Sequence, residues 1–281
     1  MLPNSKNMRL GIAWIFVVSA ITVISCKKHT STPPVTPPPP VKKALLKDLT
    51  EAHLPDPYYH FEYGLDSQVI KASFNADLLV YDVIYDGKNI SEMRVSNWIS
   101  HDTLRYVYDN AGKVGLIKYI NRTAGIYRLV IFTYTNQLIT NIEWLRKVDN
   151  VGYITYRTLA ITYFPDGNAK DITEHRPPTD FQTEATYTTQ YDQYDDKINV
   201  EEFTLWHDGI NDQLFLLPGM HIQKNNPRKE VRTGDGINYV VDYSYTYNND
   251  DAPITKTGAV LFTQGPEAGQ RFETNSSYTY Y

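Results

Sequence analysis

The sequence predicts an all-β fold: an antiparallel meander of tyrosine-rich hairpins forming a strongly curved sheet or barrel-like structure, with one short helical insertion. Three observations carry this expectation. A unit made of a strand ending in Tyr, a polar turn and an apolar restart recurs, with anchors at Tyr63, Tyr85, Tyr108, Tyr134 and Tyr163 in steps of 22, 23, 26 and 29 residues. The turns are rich in residues that tolerate the positive φ of tight hairpins, as in Asp86-Gly87-Lys88-Asn89 and Pro165-Asp166-Gly167-Asn168. No amphipathic stretch of helical period separates the strands, so there is no βαβ signature.

The elements follow in order. Residues 43–53 fit either a short helix or a lead-in strand. The repeat then begins with Phe61-Glu62-Tyr63 and its restart Val69-Ile70, and continues through Val83-Ile84-Tyr85, Tyr106-Val107-Tyr108, Phe132-Thr133-Tyr134 and Ile161-Thr162-Tyr163. Looser copies surround Tyr191 and Tyr194, then Tyr243, Tyr245 and Tyr247, and Tyr278-Thr279-Tyr280-Tyr281 reads as a last strand. Val241–Tyr247 alternates with period two, placing its Tyr rings on one face and Asp242, Ser244 and Thr246 in water. Residues 127–134 are apolar on both faces, which predicts a stretch of sheet covered on both sides. Roughly fourteen strands of this kind cannot stay flat and must curl, split or close. Residues 201–222 break the pattern: they are apolar without period two, with a short helix expected over 212–217, stopped at Pro218-Gly219. This insertion is expected to plug or cap an open end of the sheet.

The first 42 residues read as an address rather than a fold. Lys6 and Arg9 precede an uncharged stretch of 16 residues, Leu10 to Ser25, which is short for a membrane span of about 20 residues. It ends Val23-Ile24-Ser25-Cys26, and this small residue before the chain's single Cys resembles a bacterial lipobox. That resemblance implies cleavage after residue 25 and lipidation of Cys26, with two or three acyl chains giving a stable anchor at about 0.8 kcal/mol per buried methylene. The alternative is an ordinary N-terminal membrane helix. Residues 27–42 contain six prolines, which favours a polyproline II tether reaching roughly 50 Å. The expected organisation is therefore a signal peptide (1–25), a lipidated Cys with a Pro-rich tether (26–42) and a single β-meander domain (43–281).

Composition narrows the function classes. The 281 residues are 42% hydrophobic and 21% charged, enough for a packed core, and carry a net charge of −5, which argues against a nucleic-acid binder. One Cys excludes a disulfide framework or a Cys-based zinc site. No phosphate-binding loop, zinc-helix motif or nucleophile elbow is present. Neither a cofactor nor a metal is expected. Asp192, Asp195 and Asp196 fit turn chemistry better than a cation loop, which would need a Gly and a terminal Glu that are absent here. Glu201, Glu202, His207 and Asp208, beside Trp206, form the one candidate acidic site, since paired carboxylates hydrolyse glycosides at separations of about 5–9 Å. Trp98, Trp144 and Trp206 are the candidate ligand-facing aromatics, against the plainer reading that they are core.

The hairpin unit resembles the Tyr-Asp repeats of Rhs-type shell proteins. A second resemblance, over roughly residues 58–281, is to uncharacterised Bacteroidota lipoproteins carrying a domain of unknown function with a porin-like fold. It rests on Tyr194-Asp195-Asp196-Lys197-Ile198-Asn199, on Lys224-Asn225-Asn226-Pro227 after the apolar insertion, and on the Tyr243-Ser244-Tyr245 strand that follows; Val200 stands where that family tends to have Pro. The resemblance implies an envelope lipoprotein with no established reaction. Surface-exposed members tend to carry an acidic tract after the Cys; Lys27-Lys28-His29-Thr30 here favours the periplasmic face of the outer membrane. The expected function is a lipid-anchored, non-enzymatic binding or scaffold module with a glycan or protein partner. The alternative is a carbohydrate-active hydrolase acting near residues 201–208. A membrane-spanning barrel is a third reading; it requires a continuous apolar outer band about 25 Å tall.

Overall fold

The computed structural model describes residues 44–97, 100–180, 182–204, 213–218 and 223–281. Cys26, the tether, Trp98, Trp206, His207 and Asp208 lie outside the described residues. Sixteen strands form one closed antiparallel barrel in which each strand pairs with its neighbours in sequence and the last returns to the first. They are β1 (Leu46–Glu51), β2 (Tyr59–Tyr63), β3 (Val69–Phe74), β4 (Leu79–Asp86), β5 (Asn89–Val95), β6 (Thr103–Tyr108), β7 (Val114–Ile120) and β8 (Ile126–Thr135). The second half comprises β9 (Leu138–Val148), β10 (Gly152–Tyr163), β11 (Ala169–Arg176), β12 (Ala185–Asp192), β13 (Lys229–Gly234), β14 (Tyr239–Tyr247), β15 (Pro253–Phe262) and β16 (Arg271–Tyr280). The lead-in segment is therefore a strand, and the expected curved sheet is a complete barrel.

The repeating tyrosine has one structural job. Tyr63 is paired in register with Val69, the first residue of the next strand, and the carbonyl of Val69 accepts the hydroxyl of Tyr85 at 2.9 Å. Tyr85 pairs with Ile90, whose carbonyl accepts Tyr108; Tyr108 pairs with Val114, whose carbonyl accepts Tyr134. The relay runs on through Tyr163 to Ile139 and Tyr194 to Ala169, and it reappears where Tyr245 donates to Pro227 and Tyr280 to Pro253. Tyr63 closes the circle on Leu46. A register shift accompanies Tyr63, Tyr85, Tyr108, Tyr134 and Tyr163. Such a bulge sharpens local twist and turns the ring inward over the rim. The sequence unit of Tyr, turn and apolar restart is thus the footprint of a phenol belt at one end of the barrel, and its step length is the length of one strand pair.

Alternation separates the two faces of the wall. On β6, Leu104 and Tyr106 are buried in the lumen, while Arg105 and Val107 are exposed. Outward positions carry charge around the wall: Asp82, Arg94, Arg105, Asp242 and Glu273 are all exposed. Glu92 bridges Arg94 and Arg105, and Asp48 meets His60 at 2.6 Å. Pairs of this kind contribute little stability. They set charged groups among the outward positions, where a membrane-spanning barrel presents apolar side chains to lipid. No helix among the described residues is long and apolar enough to cross a membrane.

Two expectations are corrected. Strand β8 is not covered on both sides: Val130 and Phe132 point into the lumen, whereas Leu129 and Ile131 lie half-buried on the outer wall, in register with Leu145 and Leu116. A single-layer wall buries only one face, and the outer leucines shield one another. The helix expected over 212–217 is also absent from its described part, residues 213–217. Leu214, Phe215, Leu216 and Leu217 are each at most 2% exposed, on consecutive positions, so the backbone is extended and irregular to send every side chain into the core. The described residues contain one turn of 3-10 helix, Glu202–Thr204.

Candidate functional site

The described parts of the insertion between β12 and β13, residues 201–204 and 213–218, pack inside the barrel and fill part of its interior. Phe203 wedges edge-on between Tyr59 and Phe61, with ring centroids 5.1 and 5.2 Å away. Phe215 packs edge-on to Trp144 at 6.0 Å and tilted to Phe132 at 6.3 Å, and its carbonyl accepts the Tyr106 hydroxyl at 2.6 Å. The Lys224–Pro227 segment secures the exit of the insertion. Asn168, buried in the β10–β11 turn, accepts the backbone N–H of Lys224 and Asn225 and donates to the Asn225 side chain, while Asn226 donates to the Ile198 carbonyl. The plug expected from sequence is therefore present, and the Lys-Asn-Asn-Pro motif is its clamp.

The lumen beside β10–β15 is left unfilled. A polar cavity of about 290 Å³ lies there, lined by inward residues of β10 to β15 and the insertion. Its charges are largely answered. Lys256 meets Glu201 at 2.5 Å, and the Tyr278 hydroxyl donates to the same carboxylate. Arg157 and Arg176 both pair with Glu174, at 3.0 and 2.5 Å. Glu230 accepts the hydroxyls of Tyr239 and Tyr243, each at 2.8 Å. Burial, and then the Glu230 charge, holds the Tyr243 phenol well above its ordinary range. Burial opposes the charge on Lys256, but the Glu201 and Glu51 carboxylates outweigh it and the ammonium titrates above its usual value. Glu51 itself is pushed up to about 7, first by burial and then by the Glu201 carboxylate, against the pull of Lys256 and of the Ser276 hydroxyl.

The polar cavity has a neighbour at the barrel end opposite the phenol belt. Arg232, Tyr239 and Tyr243 also line a second cavity of about 430 Å³, whose remaining walls are Ile237, Val241, Val260, Phe262, Phe272 and Thr274. These residues occupy inward positions, with Val241 in register with Val260, and Val260 with Phe272. Ile237 is 57% exposed and Phe272 46%, so this apolar part is a mouth open to solvent.

The sequence candidates are dispersed. Trp144 is fully buried in the filled half, under the Arg157 guanidinium and against Phe215. Glu201 faces the polar cavity, while its neighbour Glu202 is buried at 1% exposure. Asp195 accepts the Lys197 and Asn226 backbone N–H groups, and Tyr247 donates to it, a turn role. Among the described residues no group of three His, Asp or Glu is placed as a metal ion would need. The cavity residues that sequence reasoning missed, Arg157, Glu174, Glu230, Arg232 and Lys256, are spread over four strands, only Glu230 and Arg232 sharing one. Their one signal is a charged residue at an inward position of the period-two pattern.

No family model matches the chain, and no curated protein matches it. Solved structures do. A porin-like protein from Bacteroides vulgatus shares 14% identity over 84% of this chain and 98% of that one, with a TM-score of 0.56. A porin-like protein from Bacteroides uniformis shares 14% identity over 79% of this chain and 89% of that one, with a TM-score of 0.54. At this identity the likeness is one of fold, and it agrees with the porin-like resemblance read from sequence. The likeness to Tyr-Asp shell repeats has no counterpart in these comparisons.

Proposed function

We propose that the chain is a lipid-anchored protein of the bacterial cell envelope, facing the periplasm, that acts without catalysis by holding a small polar ligand inside its barrel. The observation that carries this reading is the polar cavity beside the plug, lined by paired charges and tyrosine hydroxyls. Porin-like strand layout with a charged outer wall and an aromatic interior supports a water-facing container rather than a pore. Binding is favoured over hydrolysis because Glu201 is already neutralised by Lys256 and Tyr278, which leaves it poorly suited to act as a general base or nucleophile.

Thr189 lines the cavity, and Thr189→Trp would fill it. Calorimetric titration of the full chain with neutral sugars, amino acids and small carboxylates is expected to find a saturable ligand whose affinity falls at least tenfold in Thr189→Trp. Failure of every compound to bind, or glycoside turnover lost in Glu201→Gln, would overturn the reading. The anchor is tested separately: palmitate labelling in a Gram-negative host is expected for the wild type and absent in Cys26→Ala. Equal labelling of both would remove Cys26 from the account.

A further inference from the structure

The polar cavity and the apolar mouth share three lining residues, Arg232, Tyr239 and Tyr243. The two parts differ in chemistry. Toward the solvent the walls are Ile237, Val260, Phe262 and Phe272, with the Phe262 and Phe272 rings 5.4 Å apart. Inward, the first charged group met is Arg232. Its guanidinium lies 3.5 Å over the Tyr187 ring, and its Nε is buried without a hydrogen-bond partner. A buried donor left unmade is costly, and a ligand acceptor would recover that cost.

The pairing of the surrounding charges singles out Arg232. Tyr187 sits between Arg232 and Arg176, whose guanidinium reaches the Tyr187 hydroxyl at 3.3 Å. Arg157 and Arg176 share the single carboxylate of Glu174, and Glu230, two residues from Arg232, is occupied by the Tyr239 and Tyr243 hydroxyls. Arg157, Arg232 and Lys256 line the polar cavity against Glu174, Glu201 and Glu230, and of these three cations Arg232 makes no ion pair among the described residues. An anionic ligand group would supply the partner that Arg232 lacks.

Resting on the lumenal binding reading above, we infer that the ligand is a small anionic amphiphile, its carboxylate-type head at Arg232 and its apolar tail between Phe262, Phe272 and Val260. The head replaces the missing acceptor of Arg232. The tail covers the exposed mouth, where each buried methylene contributes about 0.8 kcal/mol, or close to fourfold in affinity.

Water-soluble phenylalkanoates separate the contributions. Acetate, phenylacetate, 4-phenylbutyrate and 6-phenylhexanoate are titrated into the full chain, with 4-phenylbutan-1-ol and 4-phenylbutylamine as neutral and cationic controls. Affinity is expected to rise at least tenfold from acetate to 4-phenylbutyrate. The alcohol and the amine are expected to bind at least tenfold more weakly. Arg232→Gln should weaken 4-phenylbutyrate at least tenfold while leaving the alcohol unchanged. Thr274→Trp, which fills the mouth from an inward position of β16, should weaken every phenyl compound and spare acetate. Unfolding midpoints of both variants, measured alongside, establish that the barrel is intact.

The ways of failing are distinct. Saturable binding of a sugar or amino acid that is sensitive to Thr189→Trp, with no dependence on tail length or on Arg232, would sink the amphiphile assignment and leave lumenal binding standing. Binding of no compound of any class would sink both. The amine binding as tightly as the acid would overturn the anionic head. Phenyl compounds that bind equally to Thr274→Trp would place the tail elsewhere.

Discussion

Phe215→Ala is expected to cost about 3–5 kcal/mol of folding stability, the range for removing a buried aromatic ring from a core. The ring is 1% exposed and touches both Trp144 and Phe132, so its loss leaves a void that barrel walls fixed by sheet pairing cannot collapse to fill. Urea unfolding followed by circular dichroism measures it, with Leu65→Ala, at a fully exposed turn position, as the control expected to change nothing. A loss below about 1 kcal/mol would mean that the insertion is not part of the cooperative core.

The second large effect depends on pH. The Glu51 carboxyl titrates at about 7 in the folded barrel against an ordinary 4.5. Below pH 4.5 it is protonated whether the chain is folded or not, and it contributes nothing to stability. As pH rises past 4.5 the unfolded chain ionises first, so the folded state loses ground until about pH 7, and above that the deficit is constant. The full gap corresponds to about 3 kcal/mol. Glu51→Gln removes the titration and keeps an oxygen for the Ser276 hydroxyl. Its unfolding midpoint should exceed that of the wild type at pH 8 and converge with it at pH 4.5. The same difference at both pH values would show that the effect is steric rather than electrostatic.

Local chemistry made the wall legible from sequence. Tyr63, Tyr85, Tyr108, Tyr134 and Tyr163 announce the belt because each hairpin solves the same problem with the same residues, and the Asp-Gly turns announce the reversals. What sequence left hidden depends on what lies across the lumen. Period two assigns Arg157 and Glu174 to the inward face, but nothing local states that they meet. Apolar character at residues 214–217 signals burial, yet helix or extended backbone is decided by pockets built from β6, β8 and β9. Leu129 and Ile131 read as buried because apolar residues usually are; on a single-layer wall they shelter beside Leu116 and Leu145 instead. The cavity is the least legible part, being defined by where the insertion does not reach.

The seam between β1 and β16 joins residues 225 and 231 positions apart, as Glu51 meets Ser276 and Asp48 meets Thr279. Contacts this remote in sequence are slow to find, because loop entropy must be lost before pairing rewards it. During synthesis β1 emerges before the other fifteen strands and β16 after them, so ring closure waits for β16. Until then β1 offers a bare hydrogen-bonding edge to any other nascent chain, a liability that only the finished molecule conceals.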